Sequence, residues 1–286
     1  MTDIEAYSKP VAALLKLGER PLNDEEWRDY RSDGITLEHV PELITLATDE
    51  DLLLDAWPDP SMYAPIHAWR ALGQLQAEGA IEPLLKMLSI GSEVDIEAAN
   101  EDIPAALALI GAAALSALDN FLNDPREDEY ARMSAAQAVG EMGLVNPAVR
   151  DECVTILADR LAQARPSERG FNAGLIYELT RLHAVEAAPV IEKAFADNVV
   201  DLSIQGDWES AQVRLGLLDE RVTPEPNWFQ AEARAGGQPE VVFPDIPGEQ
   251  DGRVTFADDH AKRKKARKQA KATKKKQRKP KKKKRK

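Results

Sequence analysis

The feature that most constrains this chain is an internal repetition of helical hairpins. Residues 67–88, "HAWRALGQLQAEGAIEPLLKML", form two helix-like runs that break at Ala77-Glu78-Gly79 and resume at once. Pro83 sits just inside the second run, where its missing N–H costs nothing. The pattern recurs. "AWRALGQL" (68–75) lies over "AAQAVGEM" (135–142) at an offset of 67. "AIEPLLKML" (80–88) lies over "ALSALDNFL" (114–122) at an offset of 34, and "LQAEGAIEPLLKML" (75–88) over "LHAVEAAPVIEKAF" (182–195) at 107. These offsets are close to one, two and three steps of about 35 residues, the period of a solenoid whose units bury their apolar faces on one another. The expected fold is all-α, an α-solenoid.

Four regions are expected. Residues 1–62 form an irregular helical cap, with helices at about 10–17, 24–31, 37–47 and 49–55. Residues 63–218 form the solenoid, with hairpins at about 63–88, 102–122, 130–163 and 170–196 and a closing helix at 206–217 with Asp207 as its N-cap. The breakers are "WPDPS" (57–61), "NDPRED" (123–128) and "RPSER" (165–169), and Ser89–Asn100 is expected to be an acidic edge loop. Residues 219–260, rich in Pro, Gly and acids, read as a linker, and 261–286 as a disordered basic tail.

Charge divides the chain sharply. The tail holds 18 of the 37 Lys and Arg and no acid; the preceding 260 residues hold the other 19 against all 49 Asp and Glu, a balance of about −30. Lys262, Arg263, Lys264, Lys265, Arg267, Lys268, Lys274, Lys275, Lys276, Arg278, Lys279, Lys281, Lys282, Lys283, Lys284, Arg285 and Lys286 are the candidate polyanion contacts. With lysine dominant and no aromatic ring, the tail has neither planar base readers nor stacking platforms, so contact with RNA or DNA would be electrostatic and unspecific. The same tail could fold back on the acidic body, since a flexible 42-residue linker has an end-to-end distance of about 36 Å.

The pattern Ala-x-x-Ala-Leu-Gly-x-Leu, turn, Ala-Ile-x-Pro-Leu-Leu-x-x-Leu resembles the HEAT-like repeat found in phycobilisome lyases and in many bacterial proteins of unassigned role. The tetratricopeptide repeat shares the period, and Trp69, Leu72 and Gly73 begin as it would, but Gln76, Leu85 and Ser89 depart from it. Known HEAT-like enzymes leave traces that can be sought. The His-Glu dipeptides that a deoxyhypusine hydroxylase needs for iron are absent, since His39 precedes Val and His67, His183 and His260 precede Ala. The basic concave face of a HEAT-like DNA glycosylase is at odds with a body of about −30. No catalytic residue, cofactor or metal site is expected. His67 reads as a surface or capping residue, His183 as a helix-end residue, and Cys153 as a small core residue.

The resemblance implies that the second helix of each hairpin lines the concave surface. Its off-core polar residues are therefore the candidate partner contacts: Glu82, Lys86, Asp119, Asn120, Asp151, Thr155, Glu192 and Lys193. Trp228 and Phe229 in the linker are further candidate anchors, and Trp208 is expected to cover the open end of the last hairpin. The expected function is a non-enzymatic scaffold or adaptor for a protein partner, a cytoplasmic monomer with no membrane span or leader. The alternative is a chaperone-like or bilin lyase-like enzyme acting on a bound protein.

Overall fold

In a computed structural model that describes residues 7–19, 27–56, 59–94 and 96–228, the chain is an α-solenoid, with no β-strand among those residues. Three short helices open it: α1 (Lys9–Leu14), α2 (Val40–Ala47) and α3 (Glu50–Asp55). Four hairpins follow: α4 (Ala64–Gln74) with α5 (Ile81–Val94), α6 (Glu97–Ile110) with α7 (Leu115–Asn123), α8 (Glu129–Val145) with α9 (Arg150–Ala162), and α10 (Arg169–Arg181) with α11 (Ala188–Ala196). α12 (Leu202–Gln205) and α13 (Trp208–Leu215) close the stack. Prolines open α2, α4 and α11, and aspartates cap α3, α8, α12 and α13, with Asp207 accepting from the Ser210 N–H as its position predicts.

The repeat register read from sequence is the register of the core. Leu84, Leu118 and Ile191 occupy one equivalent position, Leu72, Val139 and Leu179 another, and all six are fully buried. The turns repeat as well. Gln76 and His183, 107 positions apart, both adopt the left-handed conformation after their helices (φ 52° and 48°). In each turn the next residue in the chain, Ala77 or Ala184, has its N–H bonded back to the carbonyl oxygen of Leu72 or Leu179.

Three expectations need correction. Ser89–Asn100 is mostly helix, because α5 runs on to Val94 and α6 begins at Glu97. Gly91 does not break α5: a Cβ there would lie 2.5 Å from that of Ala99, so the glycine permits a close crossing of α5 and α6. The helix expected at 24–31 is coil and turn over 27–31, its earlier part lying outside the described residues. His67 is buried, its Nδ1 2.7 Å from the Tyr30 hydroxyl and its Nε2 3.0 Å from the Gly18 carbonyl oxygen. Cys153 is buried, and burial pushes its thiol up to about 11. Trp208 packs on Phe195 of α11, their ring centroids 6.2 Å apart.

The two rows of the solenoid are packed unequally. α2, α4, α6, α8 and α10 lie against one another in a tight row, whereas α5, α7, α9 and α11 touch far less. Small residues set the difference: a Cβ on Gly73 of α4 would lie 2.8 Å from the Ala106 Cα of α6, and Gly174 of α10 receives the Met133 side chain of α8. A stack whose rows differ in spacing must curve with the tight row inside. Gly73→Ala is therefore expected to destabilise by about 1–2 kcal/mol, overpacking outweighing the helix-propensity gain of about 1 kcal/mol. Gly79→Ala, with no neighbour within 4 Å, should leave stability unchanged or slightly higher. Urea unfolding of the pair checks this; equal effects would remove the close crossing as the source of curvature.

Candidate functional site

The inner face of the tight row carries a trough of three adjoining depressions. The first, 540 Å³, is walled by Trp27, Gln74, Ala105, Ala108, Leu109, Glu141, Leu144, Val145 and Arg181. Glu141 and Arg181 also line the central one, 680 Å³, with Asn100, Tyr130, Met133, Ser134, Gln137, Tyr177, Glu178 and Ile204. Tyr130, Met133 and Ile204 are shared in turn with the third, 310 Å³, which adds Glu129, Arg169 and Asp201. Helix periodicity explains the walls. α8 is buried almost all round and exposes to the trough a strip that runs Tyr130, Met133, Gln137, Glu141 and Val145.

The trough is apolar where surfaces are usually polar. Ten large apolar side chains are exposed among the described residues, and six line it: Leu109, Tyr130 (68% exposed), Leu144, Val145 (61%), Tyr177 (47%) and Ile204. Scattered exposed apolar residues are ordinary, but their collection in a concavity is the mark of a binding surface.

Polar groups are set among them. Glu178, only 4% exposed, accepts from the Arg181 guanidinium at 2.9 Å. Its carboxyl occupies the notch left by the missing side chain of Gly140, where a Cβ would meet Oε2 at 2.1 Å. Burial pushes Glu178 up to about 7; Arg181 opposes the rise and neighbouring Glu141 adds to it. Burial also raises Glu141, against a hydrogen bond of 2.8 Å donated by the Gln137 amide. Arg181 lies 5.8 Å from the Tyr177 ring centroid, and Ser134 Oγ donates to Asn100 Oδ1 at 3.0 Å. Among the described residues no group of three His, Cys, Asp or Glu is placed to hold a metal ion.

The candidates drawn from the second helices stand elsewhere. Glu82 and Lys86 on α5, Asp119 and Asn120 on α7, Asp151 and Thr155 on α9, and Glu192 and Lys193 on α11 belong to the loosely packed outer row, and none lines the three depressions. The concave surface is lined by first helices instead, because these carry the small residues that let neighbouring helices close up. Several outer candidates make local contacts: Lys193 pairs with Asp197, and the Thr155 hydroxyl donates to the Asp151 carbonyl. Trp228 lies beside Gly206 with the Arg221 guanidinium 5.3 Å from its ring centroid. Phe229 and the basic residues from Lys262 to Lys286 lie outside the described residues.

Residues 35–217 match the family described as "Protein of unknown function (DUF1186)". The chain belongs to that family. The DUF1186 match runs from just before α2 to just after α13, so it holds every trough residue except Trp27 and stops short of the acidic and basic C-terminal segments. No curated protein and no solved structure matches the chain. No single described helix of this DUF1186 protein is long and apolar enough to cross a membrane.

Proposed function

We propose that this chain is a non-enzymatic, HEAT-like scaffold or adaptor that holds a segment of a protein partner in the trough. The observation that carries the reading is the gathering of Leu109, Tyr130, Leu144, Val145, Tyr177 and Ile204 along one concave face. Tyrosine suits such a role, since it offers large contact area at low entropic cost together with a polar tip. Carboxamide and hydroxyl groups from Asn100, Ser134 and Gln137 would meet the backbone polar groups of the segment. The Lys/Arg run at 261–286 adds unspecific affinity for RNA or DNA, and the protein acts as a cytoplasmic monomer.

Capture of proteins by the tagged full-length chain tests this. Tyr130→Ala with Tyr177→Ala should remove a specific set of captured proteins, at least tenfold by mass spectrometry, while Lys86→Ala with Lys193→Ala on the outer row leaves it in place. The reverse outcome would move the contact surface to the second helices. A tail-deleted chain, compared with and without nuclease, separates nucleic-acid carry-over from partner binding: the specific set should survive both treatments.

A further inference from the structure

The central depression combines features that a purely apolar ligand would not need. Two carboxyl groups, Glu141 and Glu178, face it against one guanidinium, Arg181, and the third depression adds Glu129 and Asp201 against Arg169. An apolar segment laid over this wall would take water from the carboxyl groups of Glu141 and Glu178 and offer them neither a hydrogen bond nor a charge in return. The rings of Tyr130 and Tyr177 flank the same space, and Arg181 already lies near one of them, an arrangement suited to cations.

We propose that the central depression takes the side chain of one lysine or arginine from the bound segment, seated by Glu141 and Glu178 and flanked by the rings of Tyr130 and Tyr177, with apolar residues of the segment on either side. This rests on the trough being the partner site and names the partner's chemistry: a short basic-apolar peptide segment. Charge complementarity selects it over an acidic or wholly apolar segment. The proton that burial keeps on Glu178 to about pH 7 is the mark of an acid with too little compensating charge, and an incoming cation supplies it. The body's surplus of about 30 negative charges attracts such a segment from a distance.

Selection of a phage-displayed random dodecapeptide library on the full-length protein provides the test. Enriched peptides are expected to share one Lys or Arg with apolar neighbours. A synthetic copy of one such peptide, titrated by fluorescence anisotropy, should bind about tenfold or more weakly to Glu178→Gln and to Glu141→Gln. Replacing its basic residue by norleucine should weaken it similarly, and combining norleucine with either variant should add little. Thermal melts of both variants establish that they are folded; if one is not, the other carries the comparison. Peptides without a shared basic residue, or binding indifferent to both Gln variants, would overturn the cation site. If Tyr177→Ala still weakens such peptides, the trough reading survives that result. Absence of any enriched peptide, or binding indifferent to Tyr177→Ala as well, would overturn both.

Discussion

Replacing Glu168 by alanine is expected to cost about 3–5 kcal/mol, a large part of the roughly 5–15 kcal/mol that keeps a typical domain folded. Glu168 ends the 3-10 turn Pro166–Glu168 between α9 and α10 and holds two buried arginines, Arg132 of α8 at 2.8 Å and Arg160 of α9 at 2.7 Å. Both guanidinium groups lie over the Phe171 ring, 4.2 and 4.9 Å from its centroid. Burial pushes the Glu168 carboxyl up, but hydrogen bonds from the two arginines outweigh it and hold the group below its usual range. Without the carboxylate, two cations stand together in a low-dielectric site with only carbonyl oxygens and a ring to face. Urea unfolding measures the loss. A triple variant, Arg132→Met, Glu168→Met and Arg160→Met, should recover most of it, since removing a whole buried charge set costs far less than orphaning part of it. An alanine variant as stable as the parent would show that the arginines find other partners.

A pH effect of similar size is expected at Glu178, with the opposite sign to that of Glu168. The folded state keeps the Glu178 proton to about pH 7, whereas the unfolded chain releases it near 4.5, so the folded state binds more protons between those values. Stability therefore falls as pH rises through that window, by at most about 3 kcal/mol from this group. Glu178→Gln cannot ionise and should escape the fall. Below pH 4.5 the variant should be no more stable than the parent; above pH 7 it should be more stable by about 2–3 kcal/mol, less what it loses of the Arg181 contact. Urea titrations of both proteins at several pH values decide it, and parallel stability curves would mean that Glu178 is not held protonated. At Glu168 the lowered folded value works the other way: its contribution is complete above about pH 4.5 and is lost as pH falls through the folded value.

The hairpins and their register were legible because each depends on local pattern repeated at a fixed interval, whereas the left-handed backbone at Gln76 and His183 was not, since neither residue is a glycine. The misread segment, 89–100, shows the limit of that reading. Its Ser, Gly and acidic residues resemble a loop, yet Ile96, Ala99 and Ile103 form a buried stripe at helical spacing, and Ser89 serves Glu127 through its hydroxyl at 2.5 Å. The trough was harder to see. Tyr130, Val145 and Tyr177 look like core residues in sequence, since exposure depends on which side of a helix is left open by its neighbours. The usable signal was the placement of Ala and Gly on the first helices, which marks the row that packs tightly and hence the inside of the curve. Glu178 and Arg181 gave no signal, because an i, i+3 pair is an ordinary surface motif until burial makes it otherwise.

The unequal spacing of the two rows puts the pivot of any bending at the inner helices. Gly73 against Ala106 and Met133 against Gly174 are already in contact, so the inner row has no room to shorten, and a change of curvature falls to the outer helices, which touch one another little. Straightening brings those outer helices together and curling spreads them, in each case with the first helices turning about fixed contacts, so the trough is expected to change in depth more than in length.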